Sequence, residues 1–312
     1  MYNGVINIYK EKGYTSFDVV AIVRKILKTK KVGHTGTLDP NATGVLLVCV
    51  GSATKLCDML TDKSKEYIGV MRFGYDSDTQ DIWGTLSKNE EADLSFDEER
   101  LRQVLKSFEG DIMQVPPMYS ALKVNGQKLY DLARAGIEVE RKARPITIDK
   151  IELLDFSKRD GELECTVKVA CSKGTYIRTL IHDIGQSLGC GAIMTALERV
   201  RVGKHTVEEA VTLDDLRNIL ENESCLLDKT LIPVDIMLDE HPALTVSESG
   251  MKALLNGNIL DLNVIGRHEA VLVDKMVYRI YSYDNQFYGL YSFNERIGAL
   301  KPVKMFIPSA EV

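Results

Sequence analysis

The sequence predicts an α+β chain of two domains, 1–235 and 236–312. Three observations carry this. The 312 residues exceed a usual single-domain length. Two long alternating segments, 145–156 and 161–171, read as paired strands, while helical spacing recurs between strand patterns in the first two thirds. Near residues 233–235 the character changes to Gly-punctuated short strands, the pattern of a small β-barrel.

In chain order, residues 4–9 (GVINIY) alternate as a strand. Thr15 and Ser16 then offer an N-cap to a helix carrying Val19, Val20, Val23, Ile26 and Leu27 at helical spacing. Residues 31–44 (KVGHTGTLDPNATG) bracket a single acid, Asp39, with glycines, which marks a shaped loop. Pro40 biases Asp39 toward extended geometry, away from service as an N-cap. The loop runs into a continuous apolar strand, 45–50 (VLLVCV). A short helix at 53–60 precedes a strand at 65–74 (KEYIGVMRFG), in which Tyr67 alternates with Gly69, Met71 and Phe73. Residues 76–84 (DSDTQDIWG) read as a polar surface excursion. Ser95 and Glu98 form a capping box for a helix reaching Phe108.

Prolines extend the stretch 116–123, and 127–135 returns to helix. After the paired strands, residues 171–180 (CSKGTYIRTL) lead into an amphipathic helix with Leu180, Ile181, Ile184 and Leu188, ending at Gly189. Residues 199–204 (RVRVGK) close the first domain, and an acidic helix at 214–222 follows. Beyond His241, a short helix at 248–255 and strands at 270–274, 277–282, 287–293 and 302–307 are expected.

Composition narrows the function classes. Hydrophobic residues make up 45% and charged residues 27%, which are globular values. No apolar run approaches the ~20 residues of a membrane span, and the start shows no signal-peptide pattern, so a soluble, cytoplasmic protein is expected. Six cysteines carry no CxxC spacing and read as reduced thiols, and the five histidines form no HExxH. No metal and no cofactor are indicated. The Asp39 loop has no lysine after its glycines, so it fails the GxxxxGK[ST] phosphate cradle, and it lacks the order of a dinucleotide site.

Net charge is −6, yet the charges are segregated. Arg24, Lys25, Lys28, Lys30 and Lys31 come with no acid before Asp39. Together with groups near Arg144 and Arg199 they are expected to form a phosphate-facing surface.

Two signatures carry a resemblance. Residues 31–44 closely resemble the GHTGxLDPxATGxL pattern of the TruB family, the tRNA pseudouridine synthases that act on uridine 55, and CSKGTYIRTL is similar to the family's second strong motif. The opening KPxGxTS motif reads KEKGYTS at 10–16, with Glu11 in place of proline. The segments 76–84 and 110–136 match as well. The resemblance implies a synthase domain with a central, mostly antiparallel mixed sheet flanked by helices, an RNA cleft across it, and a PUA-like β-barrel at the C-terminus.

It further implies isomerisation of uridine to pseudouridine in the T-loop of tRNA, with no cofactor, no membrane and no obligate protein partner. Asp39 is implied as the catalytic carboxylate, Tyr67 as the residue stacking on the target base, and Arg178 as the ion-pair partner of Asp39. A neighbouring guanidinium suits that role, because an unpaired buried charge is costly. His34 is implied to occupy the vacated stack. Lys10, Lys28, Lys30, Lys31, Lys123 and Lys173 are candidate RNA contacts, as are Lys128 and Arg134.

The isomerisation breaks the C1′–N1 bond, turns the uracil and rejoins it through C5. It needs one ionised carboxylate and a closed pocket, where a hydrolytic glycosidase brings a carboxylate pair. Attack at C6, attack at C1′ and removal of a sugar proton all stay open for Asp39. The alternative is a non-catalytic RNA-binding protein or tRNA chaperone on the same fold, for which loss of Asp39, Tyr67 or Arg178 would be expected.

Overall fold

The structure is a computed structural model that describes residues 2–120, 122–124, 126–222, 227, 229–266 and 271–306. In chain order the elements are β1 (Gly4–Lys10), α1 (Ser16–Ile26), β2 (Val32–His34), β3 (Thr43–Val50), α2 (Cys57–Thr61), β4 (Lys65–Phe73), β5 (Tyr75–Ser77), β6 (Leu86–Lys88), α3 (Glu98–Ser107), β7 (Gly110–Gln114), β8 (Lys123–Val124), β9 (Gln127–Lys128) and α4 (Leu129–Arg134). There follow β10 (Arg144–Arg159), β11 (Glu162–Cys171), α5 (Ile177–Leu188), β12 (Ala192–Val202), β13 (His205–Thr206) and α6 (Leu213–Asn222). The last group is β14 (Ala243–Thr245), α7 (Met251–Leu255), β15 (Leu260–Asp261), β16 (Val277–Tyr281), β17 (Phe287–Asn294) and β18 (Ala299–Met305).

The large sheet runs β1-β3-β12-β4-β11-β10-β7. Its ladders are antiparallel except one: β12 lies parallel to β3, with Glu198 opposite Thr43 and Arg199 opposite Gly44. That exception brings a strand 155 residues away alongside the Asp39 loop. β2 pairs with the far half of the same strand through Val32–Val50, Gly33–Cys49 and His34–Val48, so the loop is anchored at both ends on β3.

The helices cover this sheet as their patterns require. Thr15 caps α1 through a box with Asp18, and Val19, Val20 and Val23 pack on Ile6, Ile8, Leu46 and Val48 beside α6. α5 buries Ile177, Leu180, Ile181 and Ile184 on β4, β11 and β12, and stops at Gly189, whose φ of 78° is left-handed.

The second sheet runs β14-β16-β17-β18-β15, with β14 and β15 at its ends among the described residues. It is docked on the first. Leu290 and Phe306 share one apolar cluster with Val5, Val45, Leu47 and Cys49, and Lys55 and Lys304 each bond the other side's backbone. Among the described residues no helix is long and apolar enough to cross a membrane.

Several expectations are corrected. The α3 cap is Asp97, which accepts the Arg100 N–H at 2.8 Å, and Ser95 instead donates its N–H to Asp93. A carboxylate two residues nearer the helix wins the cap. The strand expected at 270–274 is absent over 271–274, where the Val273 N–H goes to the Tyr278 hydroxyl, and Ala270 lies outside the described residues. The last strand is Ala299–Met305 and not 302–307. The segment 76–84 is no loose excursion: the Ile82 N–H donates to the Met194 carbonyl on β12, the Met194 N–H donates to the Gln80 carbonyl, and Asp81 is buried. The five described cysteines are free thiols, and Cys225 lies outside the described residues.

Candidate active site

The site begins with how the chain fixes residues 34–44. Gly44 has a φ of 102°, and a Cβ there would stand 2.2 Å from the Arg199 carbonyl, so only glycine lets β3 approach β12 this closely. Gly36, with φ 137°, turns its carbonyl to Arg199 Nη2 at 3.1 Å, while Arg199 Nε donates to the Val45 carbonyl at 2.7 Å. One guanidinium thus ties the two limbs of the loop together.

The other side of the loop is held by the opening motif. Ser16 is buried and accepts the Leu38 N–H at 2.9 Å. Lys10 is fully buried, and its Nζ donates to the carbonyls of Tyr14 (2.7 Å), Glu11 (3.1 Å) and Pro40 (3.1 Å). Burial pushes the Lys10 ammonium down to about 8, against the pull of Asp39. The expectation that Lys10 meets RNA is therefore corrected, since an enclosed ammonium with three carbonyl partners holds the Asp39 loop.

Asp39 itself stays partly open, at 39% side-chain exposure. Arg178, near the start of α5, is buried and places Nε 2.9 Å from Asp39 Oδ2 and Nη2 3.3 Å from Oδ1, a two-pronged grip. The same guanidinium donates to the carbonyls of Thr79 (2.9 Å) and Tyr119 (2.8 Å), and its Nη1 lies 3.7 Å from Asp81 Oδ2. Asp81 is held in turn by the Thr79 hydroxyl at 2.6 Å and the Trp83 N–H at 3.0 Å. Asp81 was missed in the sequence. Its DTxDxxG context was the available signal, but its polarity fits a surface turn equally well.

These groups open into a cleft of about 480 Å³, lined among others by His34, Asp39, Lys65, Tyr67, Tyr119, Tyr176, Arg178, Leu197 and Arg199. Its size suits a nucleobase with part of its sugar. Tyr67, on β4 between Arg199 of β12 and Val169 of β11, presents a buried ring to this cleft; burial pushes its hydroxyl up, and the Arg199 charge beside it pulls the other way. His34 accepts the Gly36 N–H and meets Phe17 edge-on, ring centroids 5.3 Å apart, while Phe17 is 66% exposed at the rim. Burial and Arg199 lower the His34 pKa, favouring the neutral ring.

The candidate RNA-contacting lysines divide. Lys28, Lys30 and Lys31 are exposed, and no carboxylate among the described residues pairs with them. Lys173 stands on the cleft rim, bound to Asp62 at 2.8 Å. Lys123 is placed by its backbone in β8, but its side chain, like that of Lys128, lies outside the description. Arg199 is not on a surface at all. Arg201 is paired with Glu66 at 2.7 Å and Lys204 with Asp239, so the basic surface expected around 199–204 is internally neutralised.

The TruB family pseudouridylate synthase N-terminal domain matches residues 24–177, and the tRNA pseudouridylate synthase B C-terminal domain matches 178–239. A tRNA pseudouridine synthase B of Clostridium perfringens (strain ATCC 13124) is 48% identical over 94% of this chain and 96% of its own. That of Bacillus licheniformis is 41% identical, with both chains fully covered. Among solved structures, a chain of an H/ACA RNP bound to a substrate RNA containing 2'-deoxyuridine superposes with a TM-score of 0.72 at 27% identity, covering 98% of this chain and 86% of that one. A chain of a Cbf5-Nop10-Gar1 complex gives 0.71 at 29% identity, covering 98% and 85%.

Proposed function

Because the chain belongs to the TruB family of pseudouridylate synthases, we propose that the Asp39 cleft is where this protein isomerises uridine to pseudouridine in tRNA, at position 55 of the T-loop. The observation that carries the site assignment is the two-pronged Arg178–Asp39 pair at the mouth of a nucleobase-sized cleft. The target uridine is flipped from its stack into the cleft, as chemistry on a base requires. Asp39 is the reacting carboxylate, Arg178 keeps it aimed, and the buried Tyr67 ring takes the face of the base. His34, with Phe17 beside it, fills the space the base leaves. Walls from Leu197 and Tyr176 keep water from the detached uracil, which must rejoin the same sugar.

Lys28, Lys30, Lys31 and Lys173 meet phosphates along one side of the cleft. The five-stranded C-terminal sheet acts as a PUA-like RNA-binding domain, adding contacts to the T-arm outside the loop. The protein works in the cytoplasm on tRNA, with no cofactor and no obligate protein partner. A non-catalytic chaperone is disfavoured, since Asp39, Tyr67 and Arg178 all line one cleft. The test is release of tritium from C5-labelled uridine in tRNA. Wild type should release it and Asp39→Asn should not; release by the folded Asn variant would remove Asp39 from the chemistry.

A further inference from the structure

Arg199 holds the loop, but its charge is not needed for that, because two backbone carbonyls would accept from neutral donors equally well. The side chain is 2% exposed, and it is among the largest fully buried side chains of the described residues. Its partners are the carbonyls of Val45 and Gly36, and no carboxylate among the described residues lies within ion-pair distance. Asp39 and Asp81 both belong to Arg178. A guanidinium cannot shed its proton, so a full positive charge stands at the cleft wall against carbonyl dipoles alone.

The groups around it deepen the imbalance. Lys10 from β1, His34 from β2 and Lys65 from β4 all feel its charge, and so does the Tyr67 hydroxyl. Lys65 is buried and donates to the carbonyls of Thr61 and Lys63, both at 2.6 Å. Asp39 and Asp18 act on Lys10 and Asp62 on Lys65, but Asp39 is already gripped by Arg178 and Asp62 by Lys173. The wall around Arg199 is therefore electropositive before any substrate arrives, since that guanidinium has no carboxylate of its own among the described residues.

The chemistry supplies the missing negative charge. When the C1′–N1 bond breaks, its electron pair stays on the uracil; addition of Asp39 at C6 would equally place charge on the ring through O4. The pair is returned when C5 bonds to C1′, the C5 proton leaves to solvent, and N1 takes one up. On every route open to Asp39 the ring is transiently anionic, and fixed charge in a dry cleft is most effective there. We propose that Arg199 stabilises the anionic uracil, acting through the Tyr67 hydroxyl and the field of the cleft wall, and so is a positioning residue for the detached base. This rests on the Asp39 cleft being the site.

The experiment compares single-turnover loss of the target nucleoside in tRNA carrying uridine or 5-fluorouridine there, for wild type, Arg199→Lys and Arg199→Gln. Fluorine withdraws electrons from the ring, so its anion depends less on a protein cation. Arg199→Gln should slow uridine about 100-fold and 5-fluorouridine at least about tenfold less than that, with tRNA affinity within about twofold. Equal losses on both substrates in a folded Gln variant would overturn the proposal. If that variant does not fold, Arg199→Lys decides, because its cation can be titrated. Its preference for 5-fluorouridine should grow between about pH 7 and about pH 10 more than in wild type, where Lys10 and Lys65 titrate alike. The same profile in both proteins would overturn it. Absence of wild-type turnover on uridine, or turnover untouched by Asp39→Asn, would instead sink the site assignment.

Discussion

Arg178 Nη1 stands 3.7 Å from Asp81 Oδ2, so the guanidinium that grips Asp39 is held from behind by a second carboxylate. Asp81→Asn keeps the oxygen that accepts from Thr79 and Trp83 but turns an amide donor toward Arg178. Turnover should fall about tenfold with tRNA affinity nearly unchanged. A variant as fast as wild type would show that the carbonyls of Thr79 and Tyr119 suffice.

Asp39→Asn and Arg178→Met should fail differently. The first removes the reacting lone pair and should abolish single-turnover product, by about a thousandfold or more, while tRNA still binds. The second keeps much of the packing of the stem but frees Asp39 from its grip, and should cost rate far more than affinity. A large affinity loss with an intact rate in the Met variant would make Arg178 an RNA contact.

Lys28, Lys30 and Lys31 should carry part of the electrostatic binding. Replacing all three by Gln should weaken tRNA binding and lower the slope of log affinity against log salt by up to about 3. An unchanged slope places the RNA on another face.

Lys10 yields a pH prediction with a definite sign. Its folded pKa of about 8 lies below the usual 10.5, so the unfolded chain binds more protons between these values. The cost of burying its charge is thus present in full below about pH 8 and fades as pH rises to about 10.5. Denaturant unfolding of wild type and Lys10→Met should show wild type gaining relative stability over that window. At neutral pH the variant leaves three carbonyls without their donor, which should lower turnover through the loosened Pro40. A constant stability difference across the window would contradict the buried ammonium.

Phe306 is buried against the first sheet's cluster and stacks on Phe287, ring centroids 5.7 Å apart. Phe306→Ala should cost about 3 kcal/mol in unfolding yet preserve turnover at saturating tRNA. Loss of saturated turnover in the folded variant would make the second sheet part of the active site.

The sequence by itself determined β1, α1, β3, β4, the β10–β11 pair and α5, because their periodicity, caps and glycines are local: Thr15 caps α1 and Gly189 ends α5 as their residue types require, whereas it did not determine β2 and β12. It also singled out the Asp39 loop, whose glycines and lone acid lie within fourteen consecutive residues. Only the tertiary structure decided what Lys10, Arg199 and Asp81 do. Lys10 and Arg199 look like any surface cations in the chain, and Asp81 looks like a turn residue. The parallel β3–β12 contact drives Arg199 into the interior, the opening strand buries Lys10 under Pro40, and the fold of 76–84 onto β12 delivers Asp81 to Arg178. Burial and pairing of a charge depend on contacts between segments 30 to 163 residues apart, and no local pattern encodes them.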